Sequence, residues 1–386
     1  GNGPRQYKDK QNISFDDFIL EKISDQGIDV LREKVKRLDR EEQGFHIYTD
    51  KDEYHVAFLC GAFGLNSPLI KDINNVLPAY IAPKVMRTYL AELEIGEKNV
   101  QRYFGNTIYT YNIPTRRILY GSVIPKSNFI TINLIGKKDL VQNDLHEFIE
   151  QSGILSRLPP DFSLKERFCH CSPRITSANA QNAYDDRILL LGDAAYSKFY
   201  KNGIESAFIT AEKAAQAVFK TGIDRTSLEK GYFSYVKQHI IEDNRYGRFL
   251  YFLNDVISRF SFFNMANMQI ANSVQFHRSA DILRNIFWIM FTGKSPYKEA
   301  WKQALNPLLI ILFFQYSLRS LYRTILSRVG AFFTGKKTCQ AQINPGPLKN
   351  GSVVAVVGGG ASRMRICDIP KKIGQVKRNV YRCAPL

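Results

Sequence analysis

One stretch constrains this chain more than any other. It is Arg187-Ile-Leu-Leu-Leu-Gly-Asp-Ala-Ala195, followed by Gly203 at the head of a segment rich in small residues. Ile188–Leu191 lack polar alternation, so they read as a strand buried on both faces. The run stops at Gly192, where the absent side chain lets another group approach the backbone closely. Asp193 follows at once. A carboxylate at that end of a strand is placed to accept hydrogen bonds from sugar hydroxyls. Ala194 and Ala195 leave room for a ligand. Gly203-Ile-Glu-Ser-Ala207 then opens a helix carrying Ser206, Ala207, Ala211, Ala214 and Ala215. Its free N–H groups and positive dipole end favour an anionic group such as a pyrophosphate. A plain strand-turn-helix has the same outline, but the paired alanines and the small-residue helix favour a ligand site.

This segment resembles the second FAD fingerprint of the para-hydroxybenzoate hydroxylase superfamily, and within it most resembles the geranylgeranyl reductase branch. The resemblance covers residues 1–260. It implies that Asp193 binds the ribityl chain, that Gly192 and Ala194 lie by the cofactor, and that Gly203 and Ile204 sit at the flavin's pyrimidine edge. Phe15-Asp16 after Arg5 resembles an Arg-x-x-Phe-Asp region, at longer spacing. Val56–Ser67 resembles the strand ending in an Asp-Gly fingerprint, with Phe63 in place of the Asp; that weakens a nicotinamide-linked role for the loop, although NAD(P)H stands as a candidate electron donor. Tyr120-Gly-Ser-Val-Ile-Pro125 resembles the branch's Tyr-x-Trp-x-Phe-Pro signature, with Ser122 at the Trp position, and so marks Tyr120 and Pro125 as substrate-binding residues. The first fingerprint, Gly-x-Gly-x-x-Gly after an opening strand, is missing from the start of the chain. Gly1 reads as a cut end, with the ADP-binding lobe absent. Ser352–Gly360 looks like that strand and turn, but Arg363 occupies the third glycine position and no acidic residue follows near 380.

The implied fold class is α/β: an FAD-binding mixed sheet, an inserted antiparallel β-sheet substrate domain and a helical C-terminal region. Residues 1–75 and 176–260 are assigned to the FAD domain, 76–175 to the substrate domain, 261–330 to the helical region and 331–386 to a basic tail. Ser14 heads a capping box before a helix with Phe15, Phe18, Ile19 and Ile23 on one face and Gly27 at its end. Strands are expected at Val30–Leu38, Phe45–Thr49, Tyr54–Cys60, Val85–Ile95, Arg102–Ile113, Ile118–Ile124 and Phe129–Ile135, and a helix at Asp139–Gln151.

The net charge of +17 is uneven, because 17 Lys and Arg but only 3 Asp and Glu lie from Asp281 to Leu386. Such a tail suits an anionic membrane surface or nucleic acid; a solvated tail is the other reading. Over 281–330 apolar residues interleave with the basic ones, which favours the membrane over nucleic acid. The helix expected from Leu308 to Val329 has an apolar run too short to span a bilayer and gathers its arginines toward one end, as an interfacial helix does. Six cysteines in 386 residues are no disulfide scaffold. Cys169-His170-Cys171 lacks a second Cys/His pair nearby and reads as a buried loop, so no metal site is expected. The resulting expectation is a cytoplasmic, peripherally membrane-bound FAD oxidoreductase reducing carbon–carbon double bonds of an apolar, prenyl-like substrate. A flavin monooxygenase is the alternative enzyme, and a basic module without activity the non-enzymatic one.

Overall fold

Polar–apolar alternation sets the first sheet. β1 (Arg37–Glu41), β2 (Gly44–Tyr48) and β3 (Glu53–Val56) form an antiparallel meander in that order. Leu38 and Phe45 turn one face inward, while Glu41, His46 and His55 take the alternate positions. The structure is a computed structural model. It describes residues 15–112, 117–136, 138–159, 162, 168–200, 203–273 and 275–334, with two short strands at 354–357 and 362–363.

β4 (Leu59–Gly61) leaves the meander for another sheet. The largest sheet follows, with β5 (Lys84–Glu94), β6 (Tyr109–Asn112), β7 (Ile118–Pro125), β8 (Phe129–Gly136), β9 (Cys169–Cys171) and β10 (Arg174–Ala178). Its order is β10-β5-β8-β7-β6, with β9 also paired to β5. These pairs are antiparallel. The Gln142–Ser152 helix buries Leu145 and Phe148 against it. Gly121 of β7 is what allows this packing, since a Cβ there would lie 2.2 Å from the Phe148 ring.

β11 (Tyr184–Asp185) and β12 (Ile188–Leu190) complete the small sheet in the order β11-β12-β4. β12 is parallel to β4 and its three side chains are fully buried, as an unbroken apolar run requires. Among the described strands β4 pairs only with β12. Ala214 and Ala217 of the Gly203–Lys220 helix join the same core as β12, together with Tyr232, Val236 and Ile240. A helical run over 225–258 follows, with π turns at Glu229–Phe233 and Lys237–Ile241. Helices Ser261–Ala271, His277–Thr292, Tyr297–Ala304 and Pro307–Thr334 build a third core with Leu250, Leu283 and Leu312.

Several sequence expectations change. Only the end of Val30–Leu38 is strand; Ile28, Val30 and Leu31 are exposed. Arg102–Ile113 is not one strand, because the Glu97–Tyr103 helix occupies its start and Gly105, at φ +55°, turns the chain before β6. Tyr54–Cys60 divides between two sheets, β3 and β4. The Phe15–Ser24 helix forms, but Phe18 and Ile19 are exposed, so its apolar stripe is not covered. Cys169–Cys171 is a strand with Cys169 exposed, not a buried loop. Within Ser352–Gly360, β13 (Val354–Val357) runs parallel along β6 in the largest sheet, and β14 (Ser362–Arg363) pairs with it. Gly358–Gly360, and Arg5 near the start, lie outside the described residues.

Candidate functional site

The constellation is assembled where β12 ends. Leu191 N–H donates to the Gly61 carbonyl at 2.8 Å, which prolongs the parallel pairing by one residue. Gly192 then takes φ +54°, the left-handed region that favours glycine. Its N–H donates to Thr210 Oγ1 at 3.0 Å, and a Cβ on it would lie 3.1 Å from the Ala207 Cβ. Small residues on the helix therefore let the Gly192–Ala194 turn sit directly against it. Ala194 and Ala195 are fully buried, and Tyr80 Oη donates to the Ala194 carbonyl at 2.7 Å. Burial of Tyr80 pushes its phenol up to about 12.

Asp193 and Gly203 meet here although nine residues separate them. A Cβ at Gly203 would come within 3.1 Å of Asp193 Oδ2 and 3.3 Å of Oδ1. The half-buried carboxylate thus lies over the first residue of the 203–220 helix, whose first N–H groups have no partner in the helix itself. Ile204, the next residue, is exposed. Gly192, Asp193, Ala194, Gly203 and Ile204 are in this way brought into one neighbourhood.

The loop between them is held on both sides. Ser197 N–H donates to Asn179 Oδ1 at 3.1 Å, Lys198 N–H to Ser206 Oγ at 3.0 Å, and Phe199 N–H to Asn244 Oδ1 at 2.7 Å. Tyr196 packs in the core of the small sheet and Phe199 in the core of the C-terminal helices. Tyr200 is held at φ +64°, a strained conformation for an aromatic residue, which costs about 1–3 kcal/mol. Its ring lies 4.1 Å from Phe199 and 4.7 Å from Tyr251.

Tyr120 belongs to this aromatic group. Its hydroxyl is buried with no hydrogen-bond partner, and burial, together with the phenols of Tyr200 and Tyr297, pushes its ionisation upward. Pro125 does not join it. Gly121 faces Phe148, so strand alternation puts Tyr120 on one face of β7 and Pro125, five positions on, on the other. A cavity of about 340 Å³ lies beside the loop, lined by Thr176, Asn179, Gln181, Tyr196, Asn244 and Arg248 among others. None of the residues singled out from the sequence lines it. Sequence reasoning passed over Thr210 and Tyr200. Thr210 is a buried hydroxyl among small helix residues, a pattern visible in the sequence; the positive φ of Tyr200 leaves no such mark. His46 and His55, which no sequence motif links, are cross-strand neighbours.

No family model and no curated protein matches the chain. Solved structures do match. A flavoprotein/dehydrogenase from Cytophaga hutchinsonii aligns over 79% of this chain and 74% of its own, at 16% identity and a TM-score of 0.52. The flavin-dependent halogenase CmlS aligns over 78% and 52%, at 14% identity and a TM-score of 0.42. Tetracycline destructase Tet(51) aligns over 55% and 59%, at 11% identity and a TM-score of 0.39. The first of these three shows a shared fold, a mixed α/β flavoprotein-type architecture with antiparallel sheets. The chain spans little more than half the length of the other two.

Proposed function

We propose that this chain is part of an FAD-dependent oxidoreductase that reduces carbon–carbon double bonds of a prenyl or other apolar, lipid-like substrate at an anionic membrane surface. One observation carries the cofactor assignment: the Asp193 carboxylate lies over Gly203, the first residue of the 203–220 helix. The residues present fit the flavin half of FAD. A methyl at 203 would press on the carboxylate at 3.1 Å, and Ala194 and Ala195 bring no bulk to the turn. Asp193 would accept hydrogen bonds from the ribityl hydroxyls, and the positive helix end would stabilise negative charge on the ring. When bound, the flavin supplies hydride transfer. The Tyr120 hydroxyl, buried and without a partner, offers a hydrogen bond to a substrate from the sheet side. Among the described strands the outer edge of β4 is unpaired, which leaves room beside it for a further strand.

The membrane reading rests on the Pro307–Thr334 helix. Leu309, Leu312, Ser317 and Ser320 face the core. On the opposite side Leu308, Ile311, Phe314, Leu318, Tyr322 and Ile325 are exposed, with Arg319 and Arg323 flanking them. No single helix among the described residues is long and apolar enough to cross a membrane. An outward apolar stripe edged by arginines is the profile of a helix lying at an anionic interface.

The test is turnover by the complete protein with FAD, a reduced nicotinamide donor and a prenyl alkene under strict exclusion of oxygen. Saturation of a double bond is the expected result. Turnover that needs oxygen and yields a hydroxylated product would replace the reductase with a monooxygenase, and a protein that binds no flavin would remove both.

A further inference from the structure

We propose that Glu41, His46 and His55 form a binding site for a divalent transition-metal ion of the zinc class, with Glu53 orienting one of the histidines. The site is built by the β1–β3 meander, on the face opposite Leu38 and Phe45. In the β2–β3 register His46 stands directly across from His55, and Glu41 ends β1 at the hairpin. The two imidazoles stack with centroids 4.1 Å apart. Glu41 Oε1 is 2.9 Å from His55 Nδ1 and 3.8 Å from His46 Nδ1. The candidate donor atoms of the three residues all lie within 4.8 Å of one another. An ion bound tetrahedrally at the usual zinc–nitrogen and zinc–oxygen lengths holds its donors about 3.3 Å apart. The two distances to Glu41 bracket that value.

The remaining nitrogen of His46 is what separates this cluster from a chance group of surface charges. Nε2 is buried and makes no hydrogen bond, yet Glu53 Oε2 lies 3.0 Å away, out of line for one. Glu53 is largely exposed and has room to turn. With Nδ1 on a metal, Nε2 carries the proton and points it at a carboxylate, the arrangement that fixes ring orientation at metal-bound histidines. Two neutral imidazoles and one carboxylate suit zinc, nickel or copper better than magnesium or calcium. Three protein ligands leave a fourth position open to water. The ion would staple the three strands together just before β4 enters the small sheet. Cys169 and Cys171, on β9, belong to a different sheet and take no part.

The experiment uses the complete, tag-free protein stripped with chelator and titrated with Zn²⁺, and separately with Co²⁺ followed by its visible absorption. One equivalent is expected to bind. His55→Ala, at an exposed position that leaves the core intact, should abolish binding, and Glu53→Gln should weaken it roughly 10- to 100-fold. The double variant Cys169→Ser, Cys171→Ser should bind as the parent does. Binding unchanged by His55→Ala, binding lost only in the cysteine variant, or no stoichiometric binding in a parent with native circular dichroism would each overturn the proposal.

Discussion

Replacing Asp193 by alanine isolates the residue on which the cofactor assignment depends. The half-buried carboxylate stands within 3.1 Å of where a Gly203 side chain would be. A ribityl chain laid against it would give it one or two hydrogen bonds. Hydrogen bonds to a charged group contribute about 1.5–3 kcal/mol each, which corresponds to a rise in flavin Kd of roughly 10- to 150-fold per bond. The same substitution removes a negative charge from the N-terminal end of the 203–220 helix, which lowers the stability of the flavin-free protein by about 0.3–1 kcal/mol. The two effects differ in size and are read separately, the first by quenching of flavin fluorescence at fixed ionic strength and the second by urea unfolding without flavin. Asp193→Asn keeps the shape and one acceptor, so its loss of affinity should fall between parent and alanine variant. An unchanged Kd for Asp193→Ala, with stability lowered as expected, would refute the reasoning outright: the carboxylate would then be a helix partner and nothing more.

Other perturbations probe neighbouring parts of the account. Tyr120→Phe removes a buried hydroxyl that has no partner, so urea unfolding should show stability unchanged or raised by about 1 kcal/mol, while turnover of the complete enzyme falls. Gly121→Ala drives a methyl into the Phe148 ring and should cost about 1–3 kcal/mol by the same assay. Tyr80 has its phenol raised to about 12, so the folded form keeps its proton longer than the unfolded form. Its contribution to stability is therefore fully present below pH ~10 and is lost toward pH ~12, and Tyr80→Phe should remove that share of the decline in an alkaline melting series, leaving the share of the other buried tyrosines. Arg319→Glu with Arg323→Glu should reduce co-sedimentation with anionic liposomes at low salt and leave the weaker binding to neutral ones unchanged; equal binding by both proteins would count against the membrane reading.

The sequence discloses those parts of the fold whose pattern is local. Ile188–Leu190 is a buried strand because nothing polar interrupts it, and the Gly203 helix is recognisable from its glycine start and its alanines. The alternation of β5, β7 and β8 likewise marks their sheet. What it conceals depends on partners distant in sequence. Ile28, Val30 and Leu31 have strand-like residue types, but no described strand pairs with them, so they stay irregular. Arg102–Ile113 hides a helix end because Val100 and Phe104, the residues that bury it, straddle its beginning. The same division runs through the site. The resemblance to an FAD fingerprint places Asp193 and Gly203 in one site, and the odd spacing of Tyr120 and Pro125 along β7 already puts them on opposite faces; which of the two faces meets the Gln142–Ser152 helix is shown only by the contact of Gly121 with Phe148. The closeness of His46 and His55 follows from a hairpin register that neither histidine announces.

The most direct measurement of the central claim is amide hydrogen exchange on the complete protein with and without saturating FAD. The first N–H groups of the 203–220 helix have no acceptor within the helix, so a ligand laid against the helix end adds to whatever protection they already have. FAD should slow exchange at Gly203 and Ile204 and across Gly192–Ala195, and Asp193→Ala should reduce this protection. Flavin binding that protects another part of the chain and leaves both segments unchanged would contradict the claim.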